Sequence, residues 1–257
     1  MKKYIKDMLK RKDLMIYLII SGLKAKHRNT WLGYFWWLLD PLLSMVVYYF
    51  LVVIVLGRGG PDYPAFLVIG LVVFRWFRSS VSGTARSVSG KAGIITQVYL
   101  PKAIFPIGEN ISQMVNFGFG LVVVSIFLLY FRIPPSAHLV WLPYVIFVQL
   151  MMHMAIGLFM GYICVFIKDI ENIITHFMRI MRYAAPVIWD ERLPAEYSWV
   201  TAVNPFSWIL EGYRNVLMYD TAPNFERLTW ILIGSLGISF YMIYFYSRNE
   251  HKIIKVL

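Results

Sequence analysis

Long apolar runs alternate with short polar, mostly basic connectors along this chain. A bilayer core about 30 Å thick is crossed by roughly 20 apolar helical residues. Six runs meet or approach that length, at residues 36–56, 63–83, 104–131, 139–167, 173–189 and 228–246. The pattern predicts an all-α integral membrane protein with six transmembrane helices. Ahead of the spans, Ile5, Met8, Leu9, Ile16, Ile19, Ile20 and Leu23 recur at helical spacing, with Lys6, Lys10, Lys12 and Asp13 between them. This predicts an N-terminal amphipathic helix lying on the membrane surface. Between the fifth and sixth spans, residues 190–227 hold apolar pieces at 206–210 and 216–219 that are too short to cross. Short re-entrant helices in an outer loop account for them. The chain reads as one domain over 1–257, with an interfacial segment at 1–35, six spans within 36–246 and a tail at 247–257.

Charge fixes the expected orientation. Of the 25 Lys and Arg, sixteen fall in the segments on the side of the termini and five (Arg58, Arg132, Arg192, Arg214, Arg227) on the opposite side. The positive-inside rule then puts both termini in the cytoplasm. The remaining four, Arg75, Arg78, Arg179 and Arg182, lie inside expected spans. Composition agrees with a membrane unit: 59% of residues are hydrophobic and the mean hydropathy is +0.60. A net charge of +11 raises nucleic-acid binding, but the basic residues gather at membrane-facing ends, where orientation and anionic lipid explain them. The charged N-terminus precedes an amphipathic stretch instead of a short apolar core, so no cleavable signal is expected. The lone Cys164 excludes a disulfide within the chain.

Chemistry-bearing motifs are sparse. Gly83 and the Gly90-Lys91-Ala92 run imitate a phosphate-binding loop, but the glycines are too far apart and no Ser or Thr follows the lysine. The five histidines are scattered, without metal-ligand spacing. With no catalytic constellation either, the chain is expected to be a transport subunit and not an enzyme, with no cofactor of its own. In the third span Glu109, Gln113 and Asn116 stand at i, i+4 and i+7, a polar face suited to hydrogen bonds between helices. Gly157 and Gly161 in the fourth permit close helix contact without naming the partner.

Several short runs, in order, resemble the ABC-2 type polysaccharide-export permeases. They are RNTWLGYFWWLLDPL at 28–42, VYLPK at 98–102, FIKDI at 166–170, APVI at 185–188, NPF at 204–206, and Glu211 with Arg214. The resemblance implies a half-transporter that pairs with a second copy of itself and with two separate ATPase subunits, which bind ATP and magnesium. It further implies that two connectors dock into those subunits, one through Val98, Tyr99, Leu100, Pro101 and Lys102, the other through Lys168 and Asp169. Many relatives carry Arg where this chain has Lys168.

The mid-span arginines direct the reading of cargo. Arg75 and Arg78, like Arg179 and Arg182, are three residues apart and so share a helix face. An arginine at mid-membrane costs about 2.5–3.5 kcal/mol and normally faces a cavity or partner; snorkelling toward the headgroups is the plainer alternative. Guanidinium groups bind phosphate bidentately, so a basic path for a polyanion is expected, with Phe74, Trp76, Phe77, Phe177 and Tyr183 lining it. Among the exporters the chain resembles, this pattern favours the teichoic acid translocation permeases of the Gram-positive cell wall, which move a lipid-linked polyol-phosphate chain. The alternative is the same architecture exporting O-antigen, capsular polysaccharide or a small hydrophobic molecule.

Overall fold

The computed structural model describes residues 2–25, 31–95, 100–135, 137–189 and 195–256, and every regular element among them is helical. The N-terminal stretch forms two helices in place of one, α1 (Lys2–Lys10) and α2 (Lys12–Ala25), separated at Arg11. α1 turns Tyr4 inward and leaves Lys3, Lys6 and Lys10 exposed.

The first long helix, α3 (Trp36–Tyr49), carries Pro41 in its interior and continues as wider turns over Phe50–Val55. After a short turn comes α4 (Tyr63–Ala85), opened by Pro64 in its first turn, a position where the missing amide of proline costs nothing. Its apolar residues are spread around the whole circumference, and a helix of that kind is buried on all sides. Accordingly α4 is the hub of the structure, burying all but a few of its residues. The chain then passes α5 (Ala92–Ile95), α6 (Ile104–Tyr130), α7 (Leu142–Phe166), α8 (Asp169–Ala184), α9 (Trp199–Val203), α10 (Pro205–Leu217) and α11 (Phe225–Val256). Around α4 stand α3, α6, α7, α8 and α10, with α11 against α7. α2 lies along α6, with Met15 and Ile19 over Gly108.

The partners of the Gly157 and Gly161 pair are α4 and α6. A Cβ on Gly157 would stand 2.6 Å from Asn110 Nδ2 and 2.9 Å from Thr84 Cγ2. One on Gly161 would stand 3.2 Å from the Thr84 carbonyl oxygen and from Pro106. Three helices meet at this point because two of α7's residues have no side chain to hold them apart.

Among the described residues five helices are long and apolar enough to cross a membrane: 36–55, α4, α6, α7 with its leading 3-10 turn Ala137–Trp141, and α11. The fifth expected span, 173–189, takes a different form. It is α8, 16 residues long, or about 24 Å. The helix stops because Pro186 follows: Ala185 is extended, with φ −103° and ψ 150°, as a residue before proline prefers. Residues Ala185, Val187 and Ile188 then run buried against the bundle.

Where the sequence predicts re-entrant pieces, the structure has α9 and α10. Asn204 caps α10 by accepting from the Phe206 amide at 3.1 Å, with Pro205 in the first turn. The Phe206 ring stacks on Phe77 at 4.7 Å. Phe77 stands fourteen positions along α4 from Tyr63, or about 21 Å of rise. The start of α10 therefore lies deep beside α4, while Arg214 near its other end covers Phe66. α11 is one 32-residue helix that carries the expected tail as a continuous extension of the last span.

The apolar core is divided in two. The larger part surrounds α4. The smaller, containing Tyr4, Val88, Leu100, Ala103, Phe105, Leu158, Tyr246 and Ile253, gathers both chain ends and the α4–α6 connector at one end of the bundle.

Candidate functional site

One stripe of α4 escapes the apolar pattern. Arg75, Ser79, Ser82 and Arg86 follow one another at i, i+4, i+7 and i+11, a spacing that keeps all four on one face. Two clefts share this stripe. A cleft of about 600 Å³ opens toward α3 and α8, bounded by Asp40, Ser44, Tyr48, Arg78 and Arg182. A second, of about 450 Å³, opens toward α6, bounded by Trp37, Glu109, Gln113 and Asn116. Beyond Tyr48 a third cleft of about 790 Å³ continues toward the far end of the bundle, with Tyr63, Tyr183, Trp189 and Tyr219 in its walls.

Three of the four mid-helix arginines, Arg75, Arg78 and Arg182, line the first cleft. Arg75 donates from Nη2 to Asp40 Oδ2 at 2.8 Å. Arg182 donates from Nη1 to the Tyr48 hydroxyl at 2.6 Å and stands 5.4 Å from the Phe74 ring centre. Arg78 is exposed and within electrostatic reach of Arg182, Arg179 and Arg75, and Arg179 is exposed on α8. Among the described residues only Arg75 of the four forms an ion pair with a carboxylate. Asp40 thus neutralises one of the four mid-helix arginines. Phosphate oxygens are suited to such a cluster, since guanidinium offers paired donors.

The five aromatic residues expected along the path are placed differently from one another. Phe74, Trp76 and Phe77 are buried in the core, at 2%, 2% and 4% exposure. Trp76 stacks on Phe117 at 4.3 Å and meets His153 edge-on at 4.7 Å. Phe77 packs on Phe206. An apolar ring on a buried helix gains more from such packing than from an open polar cleft. What remains is the edge of Phe74 under Arg182 and Trp76 in the wall of the α6 cleft. Phe177 and Tyr183 are exposed on α8, and Tyr183 borders the third cleft. The polar face of α6 also differs from expectation. Gln113 donates to Glu109, and Asn116 to Gln113, both within α6, and Glu109 also lies within electrostatic reach of Lys91.

At the end bearing the termini, Val98 and Tyr99 lie outside the described residues. Leu100, Pro101 and Lys102 are buried within the chain. Lys102 turns its ammonium back onto the Leu100 carbonyl at 2.8 Å. Burial pulls its pKa below the ordinary lysine value, and Glu250 partly offsets this. Lys168 and Asp169, by contrast, are exposed at the start of α8. Two positions further, Glu171 accepts from Arg86 Nε at 2.9 Å. Arg86 therefore joins the α4 stripe to the second connector, a role the sequence reading missed although the periodicity from Arg75 leads to it.

Arg214, expected in an outer loop, is instead almost wholly buried. Its guanidinium lies 3.4 Å from the Phe66 ring centre and donates to the Val187 carbonyl at 3.3 Å. That carbonyl approaches α4 at Gly70, where a Cβ would stand 2.4 Å from it.

The comparisons with known proteins agree with this architecture. The family model of the ABC-2 type transporter matches residues 15–218. Over 234 residues the chain is 27% identical to the O-antigen export system permease protein RfbA of Myxococcus xanthus, covering 89% of each chain. Over 247 residues it is 24% identical to the protein of the same name from Klebsiella pneumoniae, covering 95% of each.

Proposed function

The chain belongs to the ABC-2 type transporter family and is the membrane permease of an export system, and from that premise we propose that it moves a lipid-linked anionic glycopolymer from the cytoplasmic to the outer face of the plasma membrane. The observation that carries the reading is the gathering of Arg75, Arg78 and Arg182 in one cleft beside one carboxylate, Asp40, with Arg179 exposed on α8 within electrostatic reach of Arg78. The positive-inside distribution puts the end with both termini in the cytoplasm. There the exposed Lys168 and Asp169 meet a separate ATPase subunit, which binds ATP and magnesium. A second copy of the chain closes the open side of the groove, and α9 and α10 form re-entrant elements of the outer half. ATP-driven switching biases the pair between two membrane states. This chain supplies the path and its selectivity.

The relatives' names favour a polysaccharide such as O-antigen as the cargo. A polymer whose repeats carry phosphate, as in wall teichoic acid, is the second reading. The three arginines without a carboxylate partner among the described residues favour it. Either cargo brings at least the phosphate of its lipid linkage into the groove, and the pairing of Arg75 with Asp40 lowers the number of cations available for more.

Reconstitution of the permease with its ATPase subunit in vesicles tests both readings. Lipid-linked polymers with neutral repeats and with phosphate repeats are supplied in turn, and polymer crossing the membrane is measured. Arg78→Gln with Arg179→Gln is expected to lower export about tenfold while assembly persists, equivalent to about 1.4 kcal/mol. Unchanged export of both polymers would remove the anionic path.

A further inference from the structure

The start of α6 has no side-chain cap of its own: Ala103 occupies the cap position, and alanine offers no acceptor. Two groups from the opposite ends of the chain instead hold the backbone that leads into it. The Ala103 amide donates to the Tyr4 hydroxyl at 3.2 Å, across 99 positions. The preceding amide, of Lys102, donates to Glu250 Oε2 at 3.3 Å, across 148 positions. Both distances belong to ordinary hydrogen bonds or slightly long ones. A carboxylate at this place also meets the positive end of the α6 dipole.

The surroundings make the junction stiff. Tyr4, Leu100, Ala103, Phe105, Tyr246 and Ile253 pack into one apolar cluster. Tyr246 ties α11 to α7 by donating to the Leu158 carbonyl at 3.1 Å. The exposed part of the same connector lies earlier, at Gly93 and Ile94. Surface and clamp are therefore adjacent: residues near Ile94 are placed to meet a partner, and residues 100–103 are placed to pass a displacement inward.

We infer that α1, the connector residues 100–103 and the end of α11 form one transmission body, in which Tyr4 and Glu250 are positioning residues that make α6 and α11 move together when the connector is displaced. The inference rests on the reading that this connector contacts the ATPase subunit. The conclusion follows from the bonding: a connector fixed only by its own backbone would yield under load, whereas this one continues directly into α6 and is fastened to α1 through Tyr4 and to α11 through Glu250.

The assembled transporter in vesicles provides the test, with ATP hydrolysed per polymer exported as the readout. Tyr4→Phe keeps the ring and removes the acceptor; Glu250→Met removes the carboxylate. The double variant is expected to consume about fivefold more ATP per polymer, the low end of what losing two hydrogen bonds gives. Glu250→Gln, which retains an acceptor oxygen, should restore most of the ratio. A Cys164→Ser, Ile94→Cys protein tests the underlying reading separately, by cross-linking to the ATPase subunit. If Ile94→Cys fails to cross-link, the connector is not at the ATPase and the docking reading falls. If it cross-links and the ratio in the variants stays at the unaltered value, the transmission body falls alone. Should the double variant not assemble, Tyr4→Phe by itself decides, with an unchanged ratio counting against the inference.

Discussion

Arg75 and Asp40 close a 2.8 Å ion pair between α4 and α3, with Asp40 directly before the proline inside α3. Both side chains keep more than a third of their surface exposed, at 37% and 47%. Such pairs contribute about 0–1 kcal/mol to stability, so the pair's larger effect is on the charge of the groove. Asp40→Asn adds a cation free to meet cargo; Arg75→Gln removes one. Stimulation of ATP hydrolysis by polymer should therefore reach half-maximum at lower polymer concentration in Asp40→Asn and at higher concentration in Arg75→Gln. Melting temperatures of the two proteins should stay close to that of the unaltered chain.

A second prediction concerns the junction of α4, α6 and α7. At Gly157 an added methyl group would meet Asn110 and Thr84 inside 3 Å, and overpacking of this kind costs about 1–3 kcal/mol. Gly237 on α11 has no atom within 4 Å of the same added group, and alanine is the better helix former there. Thermal unfolding of the purified protein should show Gly157→Ala clearly destabilised and Gly237→Ala equal to or above the unaltered chain.

How much of this was legible beforehand depends on the range of the interaction. Helices set by a long apolar run alone, such as α4 and α6, follow the sequence closely. α8 departs because Arg179, Arg182 and Pro186 interrupt its apolar run, and length alone did not weigh the proline. Arg75 and Asp40 are 35 positions apart on different helices, and no local pattern announces their contact. The burial of Lys102 and Arg214 was likewise invisible, since each is covered by segments distant in the chain. The stripe from Arg75 to Arg86 was readable by helical spacing alone.

The Arg86–Glu171 pair yields a third prediction. It joins α4 to the first turn of α8, between the charged stripe and the exposed Lys168 and Asp169. Arg86 is 65% exposed, so little stability rides on the pair, and its loss should appear as impaired coupling. Arg86→Glu and Glu171→Arg each place like charges face to face and should lower export per ATP hydrolysed. The double exchange restores opposite charges and should recover much of the ratio. A double variant no better than either single one would show that the contact does not matter for coupling.

The fourth prediction separates charge from shape at Arg214. Its planar guanidinium stacks on Phe66 and donates to Val187, and a desolvated stack of this kind contributes about 2 kcal/mol. Lysine there keeps a buried charge but loses the planar stack, because an ammonium is a compact, strongly hydrated point charge. Methionine leaves the Val187 carbonyl without this donor, a cost of about 1–3 kcal/mol, yet it fills most of the space and removes the desolvation penalty of the ion. The order of melting temperatures should therefore be unaltered chain, then Arg214→Met, then Arg214→Lys. If Arg214→Lys matches the unaltered chain, charge alone holds Val187 against α4 at Gly70 and the stack on Phe66 is incidental.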